Sequence, residues 1–142
     1  MSYIDAALCR LVTERAGNCC EYCLLDHEDS PFSFHIEHII AEKHGGTTEA
    51  DNLCLSCPEC NACKGSDIGS LDPATKRLTP LFNPRVQRWS EHFRLNEVEI
   101  EPITPEGRVT VFLLRLNSPE WVAERTLLIR LNRYPCHNRT SL

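Results

Sequence analysis

The sequence predicts an α+β protein, with helices at both ends and two short strands between them. Apolar residues recur at helical spacing in residues 3–16 and again after residue 104, whereas residues 32–40 and 52–56 are rich in β-branched and aromatic residues. Cysteines in close pairs flank the strand segments. The 142 residues, 42% hydrophobic and 25% charged, suit one globular domain with a modest core that a bound metal would help to stabilise.

The N-terminal segment is predicted to form a helix over residues 3–16. Ile4, Leu8 and Leu11 fall on one helical face, and Gly17 marks the end of the helix. The segment contains acidic residues and lacks the basic-then-apolar order of a signal peptide. No apolar run in the chain approaches the roughly 20 residues that a membrane span requires. We therefore expect a cytoplasmic protein without a membrane partner.

The middle of the chain is predicted to hold two strands and a short helix. The runs FSFHIEHII and NLCLS have the composition of strands, and the glycine-containing run AEKHGGTTEAD between them is predicted to be a loop. The run PECNACKGS begins with Pro at a favourable first-turn position and closes on Gly, which predicts the short helix.

The C-terminal half is predicted to begin with a proline-rich, extended connection. HFRLN and VEIEPI then suit a hairpin around Asn96–Glu97. Thr-Pro-Glu and Ser-Pro-Glu each supply an N-cap residue, Pro at the first helical position and an acid near the helix dipole, which predicts helices over 104–116 and 118–132. We expect an N-terminal helix, a core and a C-terminal extension that packs on the core as one unit: residues 1–18, 19–68 and 69–142.

The nine cysteines favour metal binding over disulfides, because their number is odd, they are clustered and the chain shows no export signal. Cys20 and Cys23 form one C-x2-C pair and Cys57 and Cys60 form another, with 33 residues between the pairs. This spacing is typical of two zinc knuckles that close a tetrahedral site around a small folded insert. We therefore predict a structural Zn²⁺ bound by these four thiolates.

Further cysteines leave alternatives open. Cys54 and Cys63 extend the second pair, and an iron–sulfur cluster on this run would make the chain a redox protein. Such a cluster would leave Cys20 and Cys23 without partners, so zinc is the preferred interpretation. Cys54 and Cys63 are then small buried hydrophobic residues or accessory thiols, and Cys19 is an alternative ligand to its neighbour.

Between the cysteine pairs, FHIEHII, GGTTEADNL and CPECNACKG follow one another, and here the sequence resembles the HNH endonuclease family. The resemblance covers about residues 20–67, and LFNPRVQRW and EGRVTVFLLRLN resemble more weakly the extension of small bacterial HNH proteins. It implies a zinc-stapled ββα-metal (His-Me finger) core, in which two strands and a helix surround one catalytic cation. It also implies metal-dependent hydrolysis of phosphodiester bonds in nucleic acid, with DNA as the preferred substrate.

The resemblance assigns four catalytic-site residues. His38 would be the general base, and Asn52 would orient the His38 loop through a side-chain hydrogen bond to the backbone. Glu37 and Asn61 would ligate the catalytic metal. A neutral imidazole can accept a proton from water near pH 7, and oxygen ligands favour Mg²⁺ or Mn²⁺ as the catalytic cation.

This set departs from the family pattern in two positions. Glu37 is one methylene longer than the Asp that often precedes the base, and Asn61 replaces the His that many members have there, which removes a nitrogen ligand. In a regular strand Glu37 and His38 point to opposite faces, so both can serve one site only if the strand ends or bulges there.

Five other polar residues have weaker claims on the site. His35 is either a third metal ligand or a structural histidine, and His44 is a loop residue that would at most touch substrate. Lys64 would either contact phosphate or interact with the last carbonyls of its helix. Arg85 and Arg88 are candidates for contacts with backbone phosphates, against the alternative of solvated surface residues.

The charge distribution bears on the partner. The net charge is −5, and residues 1–67 hold twelve acids and four bases, whereas residues 68–142 hold eight acids and eleven bases. Nucleic-acid binders are usually basic, so a non-catalytic zinc module that binds nucleic acid or protein is kept as the alternative to a nuclease. Cutting of both DNA strands by one small site would favour a homodimer.

Overall fold

The structure, a computed structural model, describes residues 2–136, so the outermost residues of the predicted flanking segments, 1 and 137–142, lie outside it. It shows the predicted α+β class. The helices are α1 (Ala6–Arg15), α2 (Pro58–Lys64), α3 (Trp89–His92), α4 (Pro105–Leu113) and α5 (Pro119–Arg130). The strands are β1 (His35–His38), β2 (Leu53–Ser56), β3 (Gly69–Leu71), β4 (Leu78–Pro80), β5 (Phe93–Asn96) and β6 (Glu99–Pro102). Within the described range no helix is both long and apolar enough to span a membrane.

The strands pair into three separate antiparallel sheets of two strands each, β1 with β2, β3 with β4 and β5 with β6. In the first sheet Glu37 lies opposite Cys54 and His38 lies opposite Leu53. Helix α2 follows β2 directly and packs against β1. The middle of the chain therefore has the order strand, strand, helix that the family resemblance implies.

Local signals set the ends of α2. The Cys57 sulfur caps the helix by accepting a hydrogen bond from Cys60 N at 3.4 Å, and Pro58 fills the first helical position. Gly65, with a positive φ of 51°, ends it. Helix α2 therefore begins directly after Cys57 and carries Cys60, the second cysteine of the pair, in its first turn.

Helix α1 is shorter than predicted. The Asp5 carboxylate accepts a hydrogen bond from Leu8 N at 2.8 Å, so Asp5 is the N-cap and the helix starts at Ala6 rather than at residue 3. Arg15, at its other end, donates from Nη2 to Leu53 O at 2.7 Å and ties α1 to β2. The helix buries few side chains, of which Val12 is the one fully buried.

The C-terminal half contains the predicted hairpin, β5–β6, and the two predicted helices, α4 and α5. It also contains the hairpin β3–β4, in a stretch predicted to be extended connection. The turn of that hairpin is built by Asp72, whose carboxylate accepts hydrogen bonds from Ala74 N and Thr75 Oγ1. Arg108 of α4 forms a bidentate pair with the same carboxylate and fixes the hairpin to the helix.

One hydrophobic cluster runs from the zinc-knuckle region into the C-terminal half. Trp89 Nε1 donates to Tyr22 O at 2.8 Å, and the Trp89 ring packs against Phe93 with centroids 5.0 Å apart. The Tyr134 hydroxyl donates to Cys23 O at 2.6 Å. The second half of the chain thus covers the cysteine-rich turn rather than forming a core of its own.

A disulfide joins Cys19 to Cys136, which lie 117 residues apart in sequence and 5.9 Å apart between Cα atoms. The expectation that metal binding would replace disulfides is therefore wrong for these two residues. Cys19 is not an alternative zinc ligand, because its sulfur is bonded to Cys136. The backbone brings the pair together, since Cys136 N donates to Leu24 O at 2.9 Å.

Candidate functional site

The structure brings together the four cysteines that the C-x2-C spacing singled out. The sulfurs of Cys20, Cys23, Cys57 and Cys60 all lie within 4.8 Å of one another, and all four side chains are buried. Each pair is held by its own turn, in which the second backbone N–H donates to the first sulfur. Four buried, converging thiols are the donor set of a closed structural zinc site.

The electrostatics of this cluster favour a thiolate. Burial raises the pKa of Cys20, but hydrogen bonds from the other three thiols outweigh burial and hold that pKa well below its ordinary value. Those hydrogen bonds in turn raise the pKa values of Cys57 and Cys60, which act as donors. A zinc ion bound here would displace the thiol protons and neutralise the resulting thiolates.

The two remaining cysteines of the same run lie outside this cluster. Cys54 is buried in β2, where its sulfur lies 3.6 Å from the Tyr22 hydroxyl, and Cys63 is a half-buried residue of α2. Among residues 2–136, the four-cysteine cluster is the one group of three or more His, Cys, Asp or Glu side chains whose ligand atoms converge closely enough to hold an ion. The geometry therefore does not support an iron–sulfur centre on Cys54–Cys63.

A cleft of about 360 Å³ lies beside β1 and α2. Among its lining residues are three of the four that the family resemblance assigned, one of the weaker candidates and an acid that was not singled out from the sequence. These are Glu37, His38, Asn61, His35 and Glu42. The chain thus gathers a carboxylate, an imidazole and an amide in one solvent-accessible depression.

Glu37 is a buried carboxylate, with 7% of its surface exposed. Its Oε1 lies 3.2 Å from Lys64 Nζ, but neither oxygen has a hydrogen-bond partner of good geometry among the described residues. Burial raises the pKa of Glu37 to about 7, and the Lys64 ammonium opposes that rise. A buried carboxylate with unsatisfied oxygens at a cleft is a suitable ligand for a hard cation.

Lys64 serves the interior rather than the surface. Its side chain is 2% exposed, and Nζ donates to His38 O at 3.3 Å in addition to its ion pair with Glu37. The contacts that the structure gives to Nζ are with Glu37 and His38 of β1, and they were not among the two interpretations drawn from the sequence. A lysine of α2 instead links the helix to the two central residues of the site.

His38 is the last residue of β1, so the strand ends at the second of the two neighbouring residues assigned to the site. Its Nε2 lies 2.9 Å from Thr48 Oγ1 and 3.6 Å from Glu42 Oε1. Thr48 Oγ1 donates to that same Glu42 oxygen at 3.1 Å, so the hydroxyl can accept only from a protonated Nε2. This network assigns the proton of the neutral ring to Nε2 and leaves Nδ1 as the basic nitrogen.

Asn52 holds the loop that follows His38. Its Oδ1 accepts from Ile40 N at 3.0 Å, while Nδ2 donates to Ile40 O at 2.9 Å and to Thr47 O at 2.8 Å. Gly46 makes this packing possible, because a Cβ there would lie 1.7 Å from Ile40 O. These are side-chain to backbone hydrogen bonds of the kind expected for Asn52 from the resemblance.

Two of the residues in this network were not identified from the sequence. Thr48 lies in the run GGTTEAD. Glu42 follows His38 by four residues, and the loop after β1 brings its carboxylate within 3.6 Å of the His38 ring. The only local signal was the presence of an acid and a hydroxyl in the connecting loop. Such residues are common in loops, and the sequence gives no reason to choose these two.

The remaining candidates are dispersed. His35 is exposed at the mouth of the cleft, and His44 is exposed in the loop outside its lining. Arg85 is mostly buried and forms an ion pair with the buried Glu21, so its assignment as a phosphate contact does not fit its position. Arg88 is exposed, so burial does not argue against its assignment as a phosphate contact.

Comparison with known proteins is consistent with this geometry. Residues 20–67 match the family model described as HNH endonuclease, which confirms the resemblance over that segment. The chain is also similar to Septu protein PtuB of Bacillus thuringiensis, with 26% identity over 129 residues that cover 89% of this chain and 46% of that protein. The chain thus spans about half the length of the curated relative it matches. No solved structure matches it significantly.

Proposed function

We propose that the HNH domain of this chain is a divalent-metal-dependent endonuclease that hydrolyses phosphodiester bonds, with DNA as its preferred substrate. The observation that carries the proposal is the cleft in which His38, Glu37 and Asn61 meet, with the His38 ring already oriented by Thr48 and Glu42. A zinc ion in the four-cysteine cluster would have a structural role.

His38 is proposed to act through Nδ1. With Nε2 engaged by Thr48, Nδ1 is the nitrogen that can take a proton from the attacking water. Hydrogen bonds from Ser2 lower the pKa of Glu42 to about 2, so this carboxylate is ionised at neutral pH and favours the imidazolium that forms. General base catalysis of this kind contributes roughly 10²–10⁴-fold to a rate.

Glu37 and Asn61 are proposed to hold the catalytic cation. A carboxylate with unsatisfied oxygens and an amide that lines the same cleft form an all-oxygen set, which fits Mg²⁺ or Mn²⁺. When bound, such a cation supplies Lewis-acid stabilisation to the phosphate oxygens and to the leaving oxygen. Lys64, beside Glu37, keeps the buried carboxylate in place.

The zinc cluster is proposed to fix the distance between these groups. Cys57 and Cys60 belong to the first turn of α2, and Asn61 follows within the same helix. Glu21, next to Cys20, accepts a hydrogen bond from Leu55 N of β2 at 2.9 Å. A metal bound by both cysteine pairs would therefore hold the helix that carries Asn61 against the strands that carry Glu37 and His38.

Plasmid nicking tests the proposal. We expect the wild-type protein to convert supercoiled DNA to open circles with Mg²⁺ or Mn²⁺, and His38→Ala to be slower by roughly 10²–10⁴-fold. His44→Ala is the matched control, because it removes an exposed histidine outside the cleft lining. Equal cleavage by the wild type and His38→Ala would remove His38 from the mechanism. Linearisation, as opposed to nicking, should depend on protein concentration if two copies cut the two strands.

The burial of Glu37 against Lys64 favours a second candidate, a zinc module that binds its partner without turnover. An internal ion pair alone would explain why both residues are buried. This candidate predicts a protein with one zinc that shows no metal-dependent cleavage with any duplex, branched or single-stranded nucleic acid. Metal-dependent turnover that requires His38 would reject it.

A further inference from the structure

A second groove lies away from the catalytic cleft and shares none of its lining residues. It has a volume of about 420 Å³ and is formed by the loop that follows the first cysteine pair, the start of α2 and the start of α5. Its walls combine two aromatic side chains with four carboxylates: Phe32, Trp121, Asp29, Glu59, Glu120 and Glu124. We call it the acidic groove.

The aromatic part of the acidic groove is available to a partner. Phe32 is 64% exposed, although it is a large apolar residue, and Trp121 is half-buried with its inner side against the hydrophobic core. Leu25 lies buried beneath them. Burying a phenylalanine side chain contributes about 1.5–3 kcal/mol, so covering Phe32 is a sizeable reason for another surface to bind here.

Asp29 differs from the three glutamates of the groove. Its side chain is 9% exposed and forms an ion pair with Arg133, which lies outside the groove lining. The carboxylates that the groove offers to a partner are therefore those of Glu59, Glu120 and Glu124.

The arrangement of the four carboxylates excludes two kinds of ligand. Their oxygens do not lie close enough together to hold a cation. Within residues 2–136, the four cysteines are the one group of such side chains whose ligand atoms converge. A phosphate backbone would be repelled by carboxylates spread over the groove walls. A groove lined by both carboxylates and aromatic rings suits several cationic side chains of one extended segment, each with its own counter-charge.

We propose that the acidic groove binds a segment of a partner protein that carries two or more Lys or Arg residues next to an apolar residue. The apolar residue would cover Phe32 and Trp121. Glu59, Glu120 and Glu124 would pair with the cations, and arginine suits them best because its planar fork offers several donors to a carboxylate. This inference does not depend on the proposed nuclease activity.

Selection from a displayed library of random heptapeptides tests the proposal on the zinc-loaded full chain. We expect the wild type to enrich peptides with at least two basic residues beside an aliphatic or aromatic one. The double variant Glu120→Gln/Glu124→Gln should lose this enrichment. Glu97→Gln/Glu99→Gln is the matched control, because it removes two exposed carboxylates from the β5–β6 hairpin and leaves the groove intact.

The most enriched peptide, synthesised, then gives a quantitative readout. Trp121 lines the groove whereas Trp89 is buried, so binding should change the fluorescence of Trp121. We expect Phe32→Ala to raise the Kd by about tenfold or more, in line with the apolar surface that it removes. Plasmid nicking by the groove variants should equal that of the wild type, so a failure here is distinct from a failure of the nuclease proposal.

Three outcomes would overturn the proposal. Enrichment without basic residues, or no enrichment, would show that the groove does not select cations. Equal enrichment by the wild type and Glu120→Gln/Glu124→Gln would place binding elsewhere. Concentration-dependent dimerisation in sedimentation that the double variant abolishes would assign the groove to a second copy of this chain.

Discussion

The four-cysteine cluster and the cleft beside β1 and α2 both use residues of α2, but they are assembled in different ways. Each pair of sulfurs in the cluster comes from one tight turn, and the N–H donors that hold them are three residues away. In the cleft, His38 depends on Thr48, ten residues later, and Glu37 depends on Lys64, 27 residues later in the chain. Each half of the closed site is specified by local spacing and only the meeting of the two halves needs a tertiary contact, whereas both of these pairings in the open site are tertiary.

This difference predicts how each site fails. A lost thiol leaves three buried sulfurs and a fold without its metal, whereas a lost cleft residue leaves the fold standing with a weaker reaction. The variants below separate the two kinds of site.

The largest effect is expected for Cys57→Ser. The variant should bind no zinc and should lose cooperative thermal unfolding, because apparent zinc-binding free energies of about 10–16 kcal/mol contribute directly to the folding of small metal-stabilised domains. Metal analysis and a circular dichroism melt measure both results. Cys63→Ser is the matched control, since Cys63 lies in the same helix but outside the cluster. A cooperative melt in Cys57→Ser would show that the core does not need its metal.

The next effect is expected for Cys136→Ser, which removes the disulfide with Cys19. Since the bond closes a loop of 117 residues, we expect the free energy of unfolding to fall by about 2–5 kcal/mol. Zinc content and nicking should not change, because neither site uses these sulfurs. Urea denaturation measures the difference, with Cys9→Ser, a change of an unpaired thiol, as control. A loss of zinc would mean that the disulfide positions the cluster.

A smaller effect on stability, with a clear effect on rate, is expected for Asn52. Replacement by Ala leaves the Ile40 N–H and two carbonyls without their partners, at a cost of about 1–3 kcal/mol. Nicking should fall as well, because the loop after His38 loses its anchor. Asn52→Asp should be no more stable than Asn52→Ala, since it keeps the acceptor for Ile40 N but sets a carboxylate oxygen against the Ile40 and Thr47 carbonyls. A rate unchanged in Asn52→Ala would separate this loop from catalysis.

The smallest effect is expected for Glu42→Gln and Thr48→Val. Because they orient His38 rather than react, each should lower the nicking rate by about tenfold, less than removal of the base itself. The two act through one hydrogen-bonded chain, so the double variant should be no slower than the slower single variant. Multiplied rate losses in the double variant would show that they act independently.

The same division explains what the sequence could predict. The two C-x2-C pairs, the helix starts at Pro58, Pro105 and Pro119, and the strand that carries Glu37 and His38 all follow from signals a few residues apart. They were predicted because local chemistry determines them.

The features that the sequence did not reveal depend on distant partners. The hairpin β3–β4 is fixed by the pairing of Asp72 with Arg108, 36 residues away. Lys64 stands at the end of a short helix, where lysines are usually solvated, and only the packing of α2 on β1 buries it against Glu37. Cys136 is isolated in sequence, so nothing in its neighbourhood indicates Cys19 as its partner.

The contacts of residues 133–136 also set an order of events during translation. Tyr134 and Cys136 cover the turn that contains Cys20 and Cys23, and they leave the ribosome more than a hundred residues after it. A nascent chain therefore presents its metal-binding turn to the surrounding solution before the cover exists. A zinc ion would have its widest access to the cluster in that interval, and closure of the late segment afterwards would slow its exchange.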